Sequence, residues 1–106
     1  MVVAGISGDV TTVAQLLFAE AEGDVVLLDA LILDGGQLAP GTPVTLRLLP
    51  PESPLIAGLV RGRLSAWAEM GEVVGLEFRR RARTTTAVVS DGRSAVSLDV
   101  RAPLVA

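Results

Sequence analysis

The chain has 106 residues, half of them hydrophobic and a fifth charged; this is enough for one domain with a real core and excludes intrinsic disorder. It contains neither Cys nor His, which excludes disulfides, thiol chemistry, nucleophile systems built on Cys or His, and most zinc or haem sites. A formal charge of −3 and an aromatic content of 3% argue against a nucleic-acid surface, which needs a basic stripe and stacking rings.

The N-terminal residues 1–5 lack the basic region of a signal peptide. Asp24, Asp29 and Asp34 interrupt the longest apolar stretch, so no run reaches the roughly 18 residues of a membrane span. A soluble, cytoplasmic, single domain over residues 1–106 is expected.

Residues 9–22 admit two readings. As a helix, Val10, Val13, Ala14, Leu17 and Ala21 share a face, with Asp9 as N-cap and Gly23 just past the end. As a strand, a loop at Glu22-Gly23-Asp24 sets Ala14, Leu16 and Phe18 opposite Ile32, Ala30 and Leu28. Residues 25–33 are apolar on both parities, as expected of a strand buried on both faces. Residues 43–49 read as a strand with Val44, Leu46 and Leu48 inward, stopped by Pro50-Pro51.

Residues 58–80 alternate as a β-hairpin turning at Glu69-Met70-Gly71, with Gly71 left-handed. That register sets Leu64 opposite Leu76, Ala66 opposite Val74 and Gly62 opposite Phe78 on an apolar face. It leaves Trp67 on the other face, with Arg63 opposite Glu77 as an ion pair. A second hairpin joins residues 84–90 to 93–101 through Asp91-Gly92, a strong two-residue turn signal. The pattern as a whole predicts an all-β fold, a small six- to seven-stranded antiparallel barrel with room for one short helix.

All nine basic residues are Arg, and four of them fall within residues 79–83. Closely spaced guanidiniums suit a doubly phosphorylated ligand, although such a run also suits a solvated strand end. Trp67, beside Arg61 and Arg63, could stack on a base or anchor a partner, or be covered by another element. The candidate ligand-binding residues are therefore Arg79, Arg80, Arg83, Arg63 and Trp67. Asp24, Asp29 and Asp34 do not follow a calcium-loop pattern. Ser65, Ser90, Ser94 and Ser97 have no His or Lys in the chain to activate them. A non-enzymatic protein without metal or cofactor is expected.

The segments Leu38-Ala39-Pro40-Gly41-Thr42-Pro43-Val44-Thr45-Leu46-Arg47-Leu48, Gly58-Leu59-Val60-Arg61-Gly62-Arg63-Leu64 and Gly71-Glu72-Val73-Val74-Gly75-Leu76-Glu77-Phe78 together resemble the strands of a PilZ-type barrel. The family shows a l-x-x-G-t-x-v-x-l-x-l strand, a g-x-v strand and a closing v-G-l-x-F strand. Members typically bind cyclic di-GMP through an R-x-x-x-R segment before the barrel and a D/N-x-S-x-x-G motif on it. Here Arg79 and Arg83 have the first spacing but follow the resembling strands. The second motif is missing, since Leu31 stands where Ser belongs and Asp34 where Gly belongs. The resemblance thus implies a bacterial, motif-poor member, or the related barrel that precedes the PilZ domain in flagellar-brake proteins. Such a module acts through contacts with another protein or with itself as a homo-oligomer; the alternative is a cyclic di-GMP sensor using residues 79–83.

Overall fold

Chain segments in which every second residue is apolar bury one face and leave the other wet, and a sheet of such segments hides all its apolar faces by closing on itself. The computed structural model, which describes residues 10–35, 39–81 and 84–101, has this form. Its elements are β1 (Val10–Glu22), β2 (Val25–Gly35), β3 (Pro43–Leu49), α1 (Pro54–Glu69), β4 (Val73–Arg81), β5 (Thr84–Ser90) and β6 (Ala95–Val100). The six strands form a closed antiparallel barrel in the order β1-β2-β3-β6-β5-β4. One closing seam is long, running from Val10 opposite Phe78 to Gln15 opposite Val73. The other is short: Leu48 opposite Val100 and Leu49 opposite Asp99, extended by the Arg101 N–H donating to the Arg47 carbonyl at 2.8 Å.

Residues 10–22 are strand, not helix. The helical face would have gathered Val13, Leu17 and Ala21, all of which are exposed; its N-cap, Asp9, lies outside the described residues. The strand register holds for Ala14 opposite Ile32 and Leu16 opposite Ala30, then shifts between Leu16 and Phe18, which puts Phe18 opposite Asp29 and Ala19 opposite Leu28. This irregularity, of the kind that re-aims side chains at barrel rims, leaves Leu17 and Phe18 outside the core. In β2, Val26, Leu28, Ala30 and Ile32 are buried, but Leu27, Asp29 and Leu31 are only half-buried and Leu33 is exposed. The expectation of burial on both faces is corrected accordingly. β3 is inward at Val44, Leu46 and Leu48 as expected, and outside it the Thr45 hydroxyl donates to Asp29 Oδ1 at 2.7 Å.

The first arm of the expected 58–80 hairpin is instead α1. Pro54 opens the helix, where its fixed φ and missing N–H cost nothing. The buried residues Ala57, Val60, Leu64, Trp67 and Ala68 recur at helical spacing. Glu69-Met70-Gly71 is the end of this helix. Gly71 sits at φ 63°, its N–H donates to the Ala68 carbonyl at 3.1 Å, and the Glu72 N–H donates to the Trp67 carbonyl at 2.9 Å; the pair of bonds is a Schellman cap. Gly71 is left-handed as expected, but it caps a helix rather than turning a hairpin. The cross-strand facings of Gly62, Leu64 and Ala66 therefore do not form, and Glu77 pairs with Arg79 at 2.8 Å instead of Arg63. Leu64, Leu76 and Phe78 still meet in one core, because the helix delivers Leu64 to the barrel interior.

β5 and β6 form the second hairpin with its turn over residues 91–94, so the second strand begins at Ala95 rather than at 93. Asp91 Oδ1 makes the wider turn by accepting the N–H groups of Arg93 and Ser94 at 2.8 and 2.9 Å. Thr12 is a buried polar residue, and its hydroxyl donates to the Asp34 carbonyl at 2.8 Å.

Candidate functional site

α1 packs against β1 and reaches the β5–β6 turn through Trp67 and Arg63. Trp67 is 3% exposed, and its indole N–H donates to Asp91 Oδ2 at 3.2 Å. One turn earlier, Arg63 donates to the Ser94 hydroxyl and holds its guanidinium carbon 5.9 Å from the centre of the Trp67 ring. The Asp91 carboxylate is held below its ordinary 3.8, first by the Ser94 backbone N–H and then by that of Arg93; desolvation opposes them, and the Trp67 indole adds a lesser lowering. Around the same end the Leu16 N–H donates to the Glu72 carbonyl at 2.9 Å and Gln15 Nε2 to the Gly71 carbonyl at 3.1 Å. Arg63 and Trp67 are thus engaged in a latch between helix and turn, with the indole buried and the Arg63 guanidinium over its ring.

Arg79 and Arg80 stand at the far end of β4, opposite Thr86 and Thr85, and both are exposed. Arg79 Nε is tied to Glu77. Successive strand residues point to opposite faces, so Arg79 and Arg80 diverge instead of forking onto one anion. Arg83 lies outside the described residues. From Val73, beside the latch, to Arg79 is six strand residues, roughly 20 Å. The structure therefore places the described ones among the expected ligand residues in two groups, Arg63 with Trp67 and Arg79 with Arg80, at opposite ends of β4.

Beside α1 lies an apolar cleft of about 220 Å³ between the β1 irregularity and the helix, lined by Leu17, Phe18, Ala19, Ser65, Ala68 and Glu69. Near the helix start a larger, charged depression of about 510 Å³ includes Asp24, Arg61, Asp99 and Arg101, with Arg101 4.0 Å from Asp24. Among the described residues no three acidic, His or Cys side chains come together to hold a metal, and no helix is long and apolar enough to cross a membrane. Sequence reasoning missed the Asp91 and Ser94 partners of the latch and the apolar surface on α1. The signal for the second was present as Leu55, Leu59, Gly62 and Ala66 at helical spacing, obscured by the competing strand alternation. Comparison with protein-family models, with curated proteins and with solved structures returned no match.

Proposed function

We propose that this domain is a non-catalytic interaction module, a bacterial cytoplasmic regulator that works by binding another protein or its own copy. One observation carries the reading: large apolar side chains stand outside the buried core. Leu55 is 75% exposed, Leu59 68%, Met70 67% and Phe18 53%. These residues group on α1 and the adjoining stretch of β1, and grouped apolar exposure marks an interaction surface where single exposed residues would not. The PilZ resemblance supports the reading in part. Its first and third segments fall on β3 and β4, whereas residues 58–64 fall on α1, so the support comes from the interaction role of motif-poor members. The test is light scattering coupled to gel filtration over a concentration series, with a pull-down beside it. Association with itself or with a specific protein is expected; a strict monomer at high micromolar concentration that retains no protein counts against the reading.

A second reading, a cyclic di-GMP sensor, draws on the exposure of Arg79 and Arg80 and on the sequence spacing of Arg79 and Arg83. Calorimetric titration with the dinucleotide separates the two readings. The sensor predicts micromolar or tighter binding that Arg83→Ala weakens more than Arg101→Ala; absence of heat removes it.

A further inference from the structure

α1 carries apolar residues on two faces. One face, with Val60, Leu64 and Trp67, is buried on the barrel. The opposite line, Leu55, Leu59, Gly62 and Ala66, is exposed along its whole length and is spaced four, three, four, the interval of a coiled-coil seam. Arg61 and Arg63 lie off that line. A helix with an apolar line on each of two faces has contacts to make on both, and the fold covers only one.

We propose that a second copy of this chain docks on the outer face, its α1 running antiparallel to the first. The inference rests on the interaction reading above and names its partner. Three observations select a copy over another occupant.

The first is shape. The line is large in its N-terminal half and small in its C-terminal half, so a two-fold axis sets Leu55 against the partner's Ala66 and Leu59 against the partner's Gly62. A two-fold interface requires that each residue pair recur with roles exchanged, and this line meets the requirement by itself. The same arrangement sets Arg63 beside the partner's Ile56 and Ser65 beside the partner's Gly58; the two Arg63 side chains, each held by Ser94 of its own chain, flank the axis, and Glu52 and Glu69 come toward one another at the exposed rim.

The second is the glycines. A Cβ at Gly58 or Gly62 would meet nothing within 4 Å inside the fold, yet glycine in a helix interior is a destabilising choice. Close approach of a second helix axis gives both residues a reason.

The third is area. At roughly 150–200 Å² for a fully exposed large apolar side chain, the exposed parts of Leu17, Phe18, Leu55, Ile56, Leu59 and Met70 come to roughly 600 Å². Backbone and small residues of the helix add to this, toward the about 800 Å² that each copy contributes to a stable dimer.

The full chain is tested by sedimentation equilibrium from micromolar to millimolar concentration, with far-UV circular dichroism to confirm folding. The wild type is expected to dimerise. Leu59→Glu and Gly62→Leu should each raise the dimer dissociation constant more than tenfold, while Leu33→Glu, an exposed apolar site on β2, should leave it within about twofold. Because the chain has no cysteine, the register can be read directly. Leu55→Cys chains mixed with Ala66→Cys chains should oxidise to the mixed disulfide, and Leu55→Cys alone should not cross-link, since two-fold copies of that position lie on the order of 16 Å apart along the helix. A dimer that survives both seam substitutions overturns this interface but leaves the interaction reading standing. Efficient cross-linking of Leu55→Cys alone overturns the antiparallel register. A wild type that stays monomeric throughout overturns the second copy as partner, and the pull-down then decides the broader reading separately.

Discussion

At the α1 end of the barrel, Trp67 is buried and its N–H is bonded to Asp91, Arg63 reaches Ser94, and the N–H groups of Gly71 and Glu72 close the helix. At the other end of β4, Arg79 and Arg80 stand in solvent, Arg79 against Glu77. The charged end looks more like a site in the sequence, but the apolar end holds more of the specific geometry. A buried ring with a directed hydrogen bond has one place to sit. An exposed ion pair is screened by water and loses side-chain entropy to hold its geometry, so its net contribution is small.

The comparison breaks first at Trp67. Trp67→Ala should destabilise the domain by roughly 3–5 kcal/mol in urea unfolding, through lost burial and the cavity left behind. A loss under about 1 kcal/mol would mean that α1 is not held by this contact. Next in size is Gly71→Ala, expected to cost roughly 1–2 kcal/mol because an L side chain resists the left-handed region. The new Cβ would also press on Gln15 Nε2 at 3.2 Å.

Asp91→Ala sharpens the comparison through pH. The folded carboxylate titrates below its ordinary 3.8, so its contribution is complete above that pH and is lost as pH falls through the folded value. Asp91→Ala should therefore lower Tm at neutral pH, and its gap from wild type should narrow as the solution is acidified below 3.8. A gap that is constant with pH would show that the carboxylate's charge plays no part in the latch. The smallest effect belongs to the charged end, where Glu77→Ala should cost under about 1 kcal/mol and less at high salt.

Much of the barrel was legible wherever one local period stood alone. β3 alternates between prolines with its inward set at Val44, Leu46 and Leu48, and the register of β1 on β2 was readable up to Leu16. Asp91-Gly92 announced a turn, although the Asp91 carboxylate widened it to residues 91–94 by taking two backbone N–H groups. The candidate site was legible only in its residues. Trp67 and Arg63 were singled out as ligand contacts, whereas the partners that define their role, Asp91 and Ser94, lie 24 and 31 residues further on.

By itself the sequence determined that this chain is a small antiparallel β domain, with the inward set of β3 and a turn at Asp91-Gly92. Those features follow from alternation and turn chemistry within a few residues. Tertiary structure alone decided that residues 54–69 are helix. Val60 and Leu64 satisfy both the two-residue and the four-residue interval, and only burial of Trp67 with Ala57 and Ala68 separates the two. It likewise decided the closure of β1 on β4, which joins Val10 to Phe78 across most of the chain. A leucine such as Leu55 or Leu59 carries the same hydrophobic preference whether the fold covers it or leaves it facing water, because that preference has no direction; only the packed structure shows which side of the helix remains open.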